Sequence, residues 1–198
     1  MYARIVQSAA ATDIDGGVAF VRDTVVPTAR QQNGYRGLIA SADRDANVFG
    51  VLSLWAEKAD MDASNSAMLK VREEGRKIIG GQLTAEGFEE ILFTAKEPPA
   101  PGLALLVRRV SMDPSKIDDN IEFFRTTVLP QIEANAGFVG VRQMVNRETG
   151  DAVVGTVWKD RAAMEAAAAD AESRQGQAAG RVTFGEQTKR EILFVDLA

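Results

Sequence analysis

The stretch FVRDTVVPTARQQNGYRGLIASADRDANVFGVLSLW, residues 20–55, occurs twice in the chain. It returns as FFRTTVLPQIEANAGFVGVRQMVNRETGDAVVGTVW, residues 123–158, with no gap in the alignment. Phe20, Arg22, Thr24, Val25, Pro27, Gly34, Gly37, Arg44, Val51 and Trp55 recur as Phe123, Arg125, Thr127, Val128, Pro130, Gly137, Gly140, Arg147, Val154 and Trp158. Average residue usage gives only about two or three chance matches over such a window. The chain therefore reads as two copies of one module, residues 1–97 and 103–198, with a linker at 98–102. Three of the six prolines lie in that linker, which makes it short and stiff.

Working outward from the repeat, Arg4 to Ser8 is apolar-rich and reads as a strand. Val18, Val21, Val25 and Ala29 fall at helical spacing. Pro27 sits inside that pattern, lacks a backbone donor, and must kink the helix or start its last turn. Gly34 ends it. Leu38 to Ala42 and Val48 to Ala56 are strands joined by the polar hairpin loop Asp43 to Asn47. A helix over about 62–79 follows, with Met61 before it, then a strand at Ile91 to Phe93. Copy two repeats the order. Leu103 to Val110 is a strand, and Ile117 to Ile132 a helix with Pro130 at the kink. Strands at Val141 to Val145 and Val153 to Trp158 flank a loop with Gly150 at a position suited to positive φ. An Ala-rich helix from Arg161 to about Ala179 can approach the sheet closely but buries little, and Ile192 to Val195 closes the copy.

Each copy is thus β-α-β-β-α-β, the ferredoxin-like split βαβ pattern. Both helices cover one sheet face and leave the other apolar face needing a partner. The predicted fold class is α+β: two tandem ferredoxin-like modules whose sheets face each other to form an intramolecular dimeric α+β barrel. Strand alternation places Val51, Ser53 and Trp55 on one face of their strand. Val48, Leu52 and Leu54 take the other, which is assigned to the helices.

Composition removes several function classes. The net charge of −5 and the pI near 4.9 argue against a nucleic-acid partner, which needs a basic face. No apolar run approaches the roughly 20 residues of a membrane span, so no membrane partner is expected. Cysteine and histidine are both absent. Zinc–thiolate sites, disulfides, Ser-His-Asp chemistry and histidine proton transfer are therefore excluded, and no metal site is expected. A cytoplasmic setting fits this composition, and further homo-oligomerisation is allowed.

The chain resembles the antibiotic biosynthesis monooxygenase type of dimeric α+β barrel. The residues that carry the resemblance are the helix ends Val25-Val26-Pro27 and Val128-Leu129-Pro130 and the following Asn33-Gly34-Tyr35-Arg36-Gly37 and Ala136-Gly137-Phe138-Val139-Gly140. Strands ending in Trp55 and Trp158 complete it. The resemblance covers both copies and implies a pocket between each sheet and its helices, lined by the strand-end Trp. It further implies a cofactor-independent monooxygenase (no cofactor) acting on a small aromatic or phenolic ligand. The alternative is a non-catalytic small-ligand-binding or assembly protein of the same fold. The haem-degrading members carry a His on the following helix, where Asn65 and Ala168 stand here. The common pattern places a Glu two residues before the Trp, where Ser53 and Thr156 stand here.

On this reading the catalytic candidates are Tyr35, Trp55 and Arg44. Trp55 and Trp158 stack on the ligand, Arg44 or Arg109 stabilises its anion, and Tyr35, which keeps an ionisable hydroxyl, assists a proton transfer. Trp158, Arg109, Ser53 and Thr156 are the substrate-binding candidates. Arg108-Arg109 is an unusual pair inside a strand, and one of the two must point to a sheet face, there to pair with a carboxylate or bind an acid. The alternative roles are plain: a Trp filling space at a sheet end, and loop arginines braced by carboxylates. Copy one, with Tyr35, Ser41 and Asn47, has the more polar pocket-side candidates and is favoured as the active copy.

Overall fold

The computed structural model describes residues 1–173 and 175–197. Its strands are β1 (Tyr2–Ser8), β2 (Tyr35–Asp43), β3 (Val48–Trp55), β4 (Leu83–Ala95), β5 (Ala104–Ser111), β6 (Phe138–Val145), β7 (Asp151–Trp158) and β8 (Thr183–Leu197). They hydrogen-bond in the order β1-β3-β2-β8-β5-β7-β6-β4, a closed barrel. The helices are α1 (Ile14–Phe20), α2 (Val26–Arg30), α3 (Lys58–Ala63), α4 (Asn65–Ile79), α5 (Ile117–Phe123), α6 (Leu129–Glu133) and α7 (Arg161–Ser173). The α+β class and the barrel agree with expectation. None of the described helices is long and apolar enough to cross a membrane.

Two compact units are present: Met1–Glu89 with Arg190–Ala198, and Glu90–Lys189. Within the first, β1 pairs antiparallel with both β3 and β4, and β2 with β3 and β8. Within the second, β7 lies between β5 and β6, both antiparallel to it. The strands β4 and β8 are far longer than the three or four residues expected. Their first halves, Leu-Thr-Ala-Glu-Gly-Phe-Glu-Glu and Thr-Phe-Gly-Glu-Gln-Thr-Lys-Arg, are too polar and glycine-interrupted to read as strand. Ladder hydrogen bonding overrides that weak propensity.

The prolines explain a feature that both units share. Between α1 and α2 the backbone forms a π-helical turn, Val21–Val25, and between α5 and α6 another, Phe124–Val128. Pro27 and Pro130 stand at the start of the segment that follows each turn. A proline cannot donate to the carbonyl four residues back and its ring crowds that carbonyl, so the preceding turn widens to a longer hydrogen-bond register. Gly34 and Gly137 then turn the chain with φ of 71° and 79°. In the hairpin loops Asn47 and Gly150 occupy equivalent positions at φ 54° and 79°. Both are residue types that tolerate the left-handed region.

The face assignment of the Trp strands is inverted relative to expectation. Trp55 packs in the helix-side core with Val21, Val25, Met61, Met68 and Ile79, and is fully buried. Trp158 packs likewise with Phe124, Met164, Ala167 and Ala168. It is thus the Val51–Ser53–Trp55 and Val154–Thr156–Trp158 faces that meet the helices. Ser53 and Thr156 made that face look too polar for a core. Their hydroxyls instead accept from the indole N–H two residues on, at 3.0 Å and 2.9 Å. A buried Trp needs such a partner, and with it contributes roughly 200 Å² of apolar burial, about 5 kcal/mol.

The second helices differ between the units. In α4, Met68, Val71 and Ile79 are buried. In α7 the buried positions are Met164, Ala167 and Ala168. The helix expected to reach Ala179 stops at Ser173. Arg174 lies outside the described residues, and Gln175–Ala178 is a 3-10 turn.

Candidate functional site

Each unit has a cavity between its sheet and its helices, and the sequence of the second helix sets its size. In the first unit it is only about 50 Å³, lined by Val51, Ser53 and Trp55 below and by Val25, Met68 and Val71 above. Arg4 occupies part of the space. Its guanidinium donates to the Ser64 hydroxyl at 2.8 Å and to the Met61 carbonyl, and lies 5.8 Å from the Trp55 ring centroid. Burial, with the field of Arg72, pushes Arg4 down to about 10.

In the second unit the cavity is about 180 Å³. The alignment that relates the copies puts Ala167 where Ser64 stands, Ala171 where Met68 stands, and the paired strands put Leu106 where Arg4 stands. Every replacement removes bulk or charge, so the Ala-rich helix opens volume instead of closing onto the sheet. The floor is Leu106, Arg108 and Val110 from β5, Val154, Thr156 and Trp158 from β7, and Gln143 from β6. The π turn supplies Phe124 and Val128 to the roof, and α7 supplies Ala167 and Ala171. The walls are mostly aromatic and aliphatic, as a small-molecule site requires. A cavity of about 150 Å³ with such walls accepts benzene, so this one has room for one or two rings.

Polar groups on this floor are few. Gln143 is 4% exposed, and its Oε1 has no hydrogen-bond partner among the described residues. Arg108 donates to Gln187, lies 5.3 Å from the Phe184 ring centroid, and is held below its ordinary value by burial, with Glu172 acting in the opposite sense. Among the described residues that line the cavity, Arg108 is the one that carries a charge. Asn120, also buried, lines the same space.

Of the residues selected from sequence, Thr156 and Trp158 line the larger cavity, and Ser53 and Trp55 the smaller. Arg109 lines neither. Pocket-facing positions on β5 are Leu106, Arg108 and Val110, so alternation sends Arg109 to the opposite face. Tyr35 also lines neither. Its hydroxyl donates to Oδ2 of the buried Asp196 carboxylate at 2.9 Å, and Arg30 donates to both oxygens of the same carboxylate. Burial and that hydrogen bond drive the Tyr35 hydroxyl well above its ordinary range, so it holds its proton and serves as a strut. Its ring meets Trp55 edge-on at 5.7 Å, and Phe138 meets Trp158 in the same way at 5.8 Å. Arg44 pairs with Asp15 at 2.6 Å on the exposed surface, as Arg147 does with Asp118 at 2.9 Å. Both pairs brace a hairpin loop against the first turn of a helix. Gln143 was missed from sequence. Its one signal was a glutamine at a position where copy one has Ala40.

No protein-family model matches the chain. Solved structures share its fold. An anthrone oxidase-like protein superposes with TM-score 0.75 at 12% identity, covering 100% of this chain and 93% of the other. A candidate monooxygenase from Fusobacterium nucleatum gives 0.74 at 13% identity, covering 99% and 94%. A ferredoxin-fold protein from Listeria monocytogenes related to antibiotic biosynthesis monooxygenases gives 0.55 at 6% identity, covering 97% and 95%. These establish the dimeric α+β barrel as the fold. In sequence, the uncharacterized protein Rv2557 of Mycobacterium tuberculosis H37Rv is 30% identical over 152 residues, 77% of this chain and 68% of the relative. Rv2558 of the same organism is 27% identical over 133 residues, 67% of this chain and 56% of that relative, so the match spans little more than half of it. The chain belongs to the family of the Mycobacterium tuberculosis protein Rv2557.

Proposed function

We propose that the chain binds a small aromatic or phenolic molecule in the cavity of its second unit and oxidises it as a cofactor-independent monooxygenase. The observation that carries this reading is the contrast between the two cavities. The same framework is filled in one unit by Arg4 and Met68 and left open at about 180 Å³ in the other. The fold likeness to a candidate monooxygenase and an anthrone oxidase-like protein supports the reaction class. The site favours the second copy over the first, and it uses Trp158 and Thr156 as wall and Arg108 in place of Arg109.

In such a reaction the substrate supplies the electrons. A methylene beside a phenolic ring reacts with O₂ to give a carbonyl and one water, which balances without an external reductant. The protein must exclude bulk water, orient the ring and favour the substrate anion. Arg108 is placed to stabilise a developing phenolate or enolate, since a half-buried guanidinium with a neutral partner gains from an added negative charge. We propose also that the chain arose by tandem duplication of a module of residues 1–97 and 103–198, and that it acts in the cytoplasm, in keeping with its lack of cysteine.

One observation favours the non-catalytic reading. Among the described residues no Asp, Glu, Lys or Tyr lines the larger cavity, so none of them serves as a general base there. Oxygen uptake in the presence of hydroquinones and of one- and two-ring phenols that carry a ring-adjacent methylene separates the two. Turnover that Arg108→Met abolishes supports the monooxygenase. Binding of the same compounds without oxygen uptake supports the binder.

A further inference from the structure

Gln143, Val154 and Arg108 form one row across the floor of the larger cavity. Val154 pairs directly with Gln143 on one side and with Arg108 on the other. All three line the cavity. Strands lie about 4.8 Å apart, so the two polar residues stand roughly 10 Å apart at their backbones. The corresponding row in the first unit is Ala40, Val51 and Val6, paired in the same register and wholly apolar. The fold therefore does not need an amide or a guanidinium in this row. The unit with the open cavity has both.

The two ends differ in chemistry. At one end, the Gln143 Oε1 is a buried acceptor with no donor among the described residues. Such an atom forfeits its hydration and is rare unless something outside the chain completes it. At the other end, Arg108 spends one donor on the neutral Gln187 carbonyl and keeps others available. Between them are Val154 and the aromatic walls. A ligand that reaches both ends must carry its polar groups at opposite edges of an apolar body.

We infer that the ligand is a singly or doubly ringed aromatic with a hydroxyl donor at one edge, given to Gln143, and an anionic oxygen at the opposite edge, taken by Arg108. This rests on the reading of the second cavity as the ligand site, and it sharpens that reading to a hydroxyaryl acid or a para-diol monoanion. A three-ring ligand bound wholly inside is too large for the volume.

The test uses the intact chain and three probes: 4-hydroxybenzoate, benzoate, which lacks the donor, and 4-hydroxybenzyl alcohol, which lacks the anion. Affinities are read by calorimetry on wild type, Gln143→Leu and Arg108→Met. Wild type is expected to hold 4-hydroxybenzoate about tenfold more tightly than either of the other two, one hydrogen bond's worth at each end. Gln143→Leu should erase the preference over benzoate while leaving benzoate affinity and folding stability undiminished. Arg108→Met should erase the preference over the alcohol. Equal binding of all three probes by wild type overturns the inference and leaves the cavity reading standing. So does a Gln143→Leu chain that keeps its preference, or one that unfolds. Failure of every one-ring probe to bind overturns both.

Discussion

The indole N–H of Trp158 donates to the hydroxyl of Thr156, two residues earlier on the same strand, at 2.9 Å, and Trp55 donates to Ser53 in the same way at 3.0 Å. This is why the residue two before each Trp is a hydroxyl here. Thr156→Val leaves a buried N–H without an acceptor and should cost about 1–3 kcal/mol in urea unfolding. Thr156→Ser, which restores the partner that the other unit uses, should lie within about 0.5 kcal/mol of wild type. Equal loss in both variants would refute the hydrogen-bond account.

Ala171 should accept the residue that fills the other unit. Ala171→Met places on α7 the side chain that Met68 places on α4. It should reduce affinity for any one-ring ligand at least tenfold. Folding stability should be unchanged or raised by about 1 kcal/mol, because the added atoms enter empty apolar space. Unchanged affinity in a folded Ala171→Met chain would place the ligand elsewhere.

Tyr35 makes a pH prediction. Its hydroxyl is held protonated in the folded state by burial and by Asp196, while in the unfolded chain it titrates near 10. Above that pH the folded state binds more protons than the unfolded one, so the contribution of Tyr35 falls as pH rises. Wild type should exceed Tyr35→Phe by about 1–2 kcal/mol below pH 10, and the difference should shrink from pH 10 upward. Denaturant midpoints of both proteins between pH 8 and 11 measure it. A constant difference across that range would contradict the assignment.

Arg44 pairs with Asp15 on the surface, and exposed pairs contribute no more than about 1 kcal/mol. Arg44→Ala should therefore leave ligand affinity and oxygen uptake within twofold of wild type. A tenfold loss of either would restore Arg44 to the site.

Much of the fold was legible because it was written twice. The hairpin loops at 43–47 and 146–150, the glycines that end the first helices and the prolines that interrupt them each appear in both copies, and a repeated signal outweighs local ambiguity. The strand faces were not legible. Period-2 alternation divides a strand into two faces but does not say which one meets a helix, and Ser53 and Thr156 pointed the wrong way because their partner is an indole on their own strand. The same one-residue parity separates Arg109, selected from sequence, from Arg108, which faces the cavity. Gln143 carried too little signal alone. It becomes informative only beside Ala40, once register shows that the two stand at the same place. The polar halves of β4 and β8 were hidden because their pairing is long-range and their side chains advertise solvent.

The two tryptophans divide the question of the site cleanly, since Trp158 lines the larger cavity and Trp55 the smaller. The most direct measurement is fluorescence quenching by 4-hydroxybenzoate in Trp55→Phe, which leaves Trp158 as the sole indole, and in Trp158→Phe, which leaves Trp55. Saturable quenching in Trp55→Phe and none in Trp158→Phe is the predicted result. Saturable quenching of Trp55 with none of Trp158 would contradict the account.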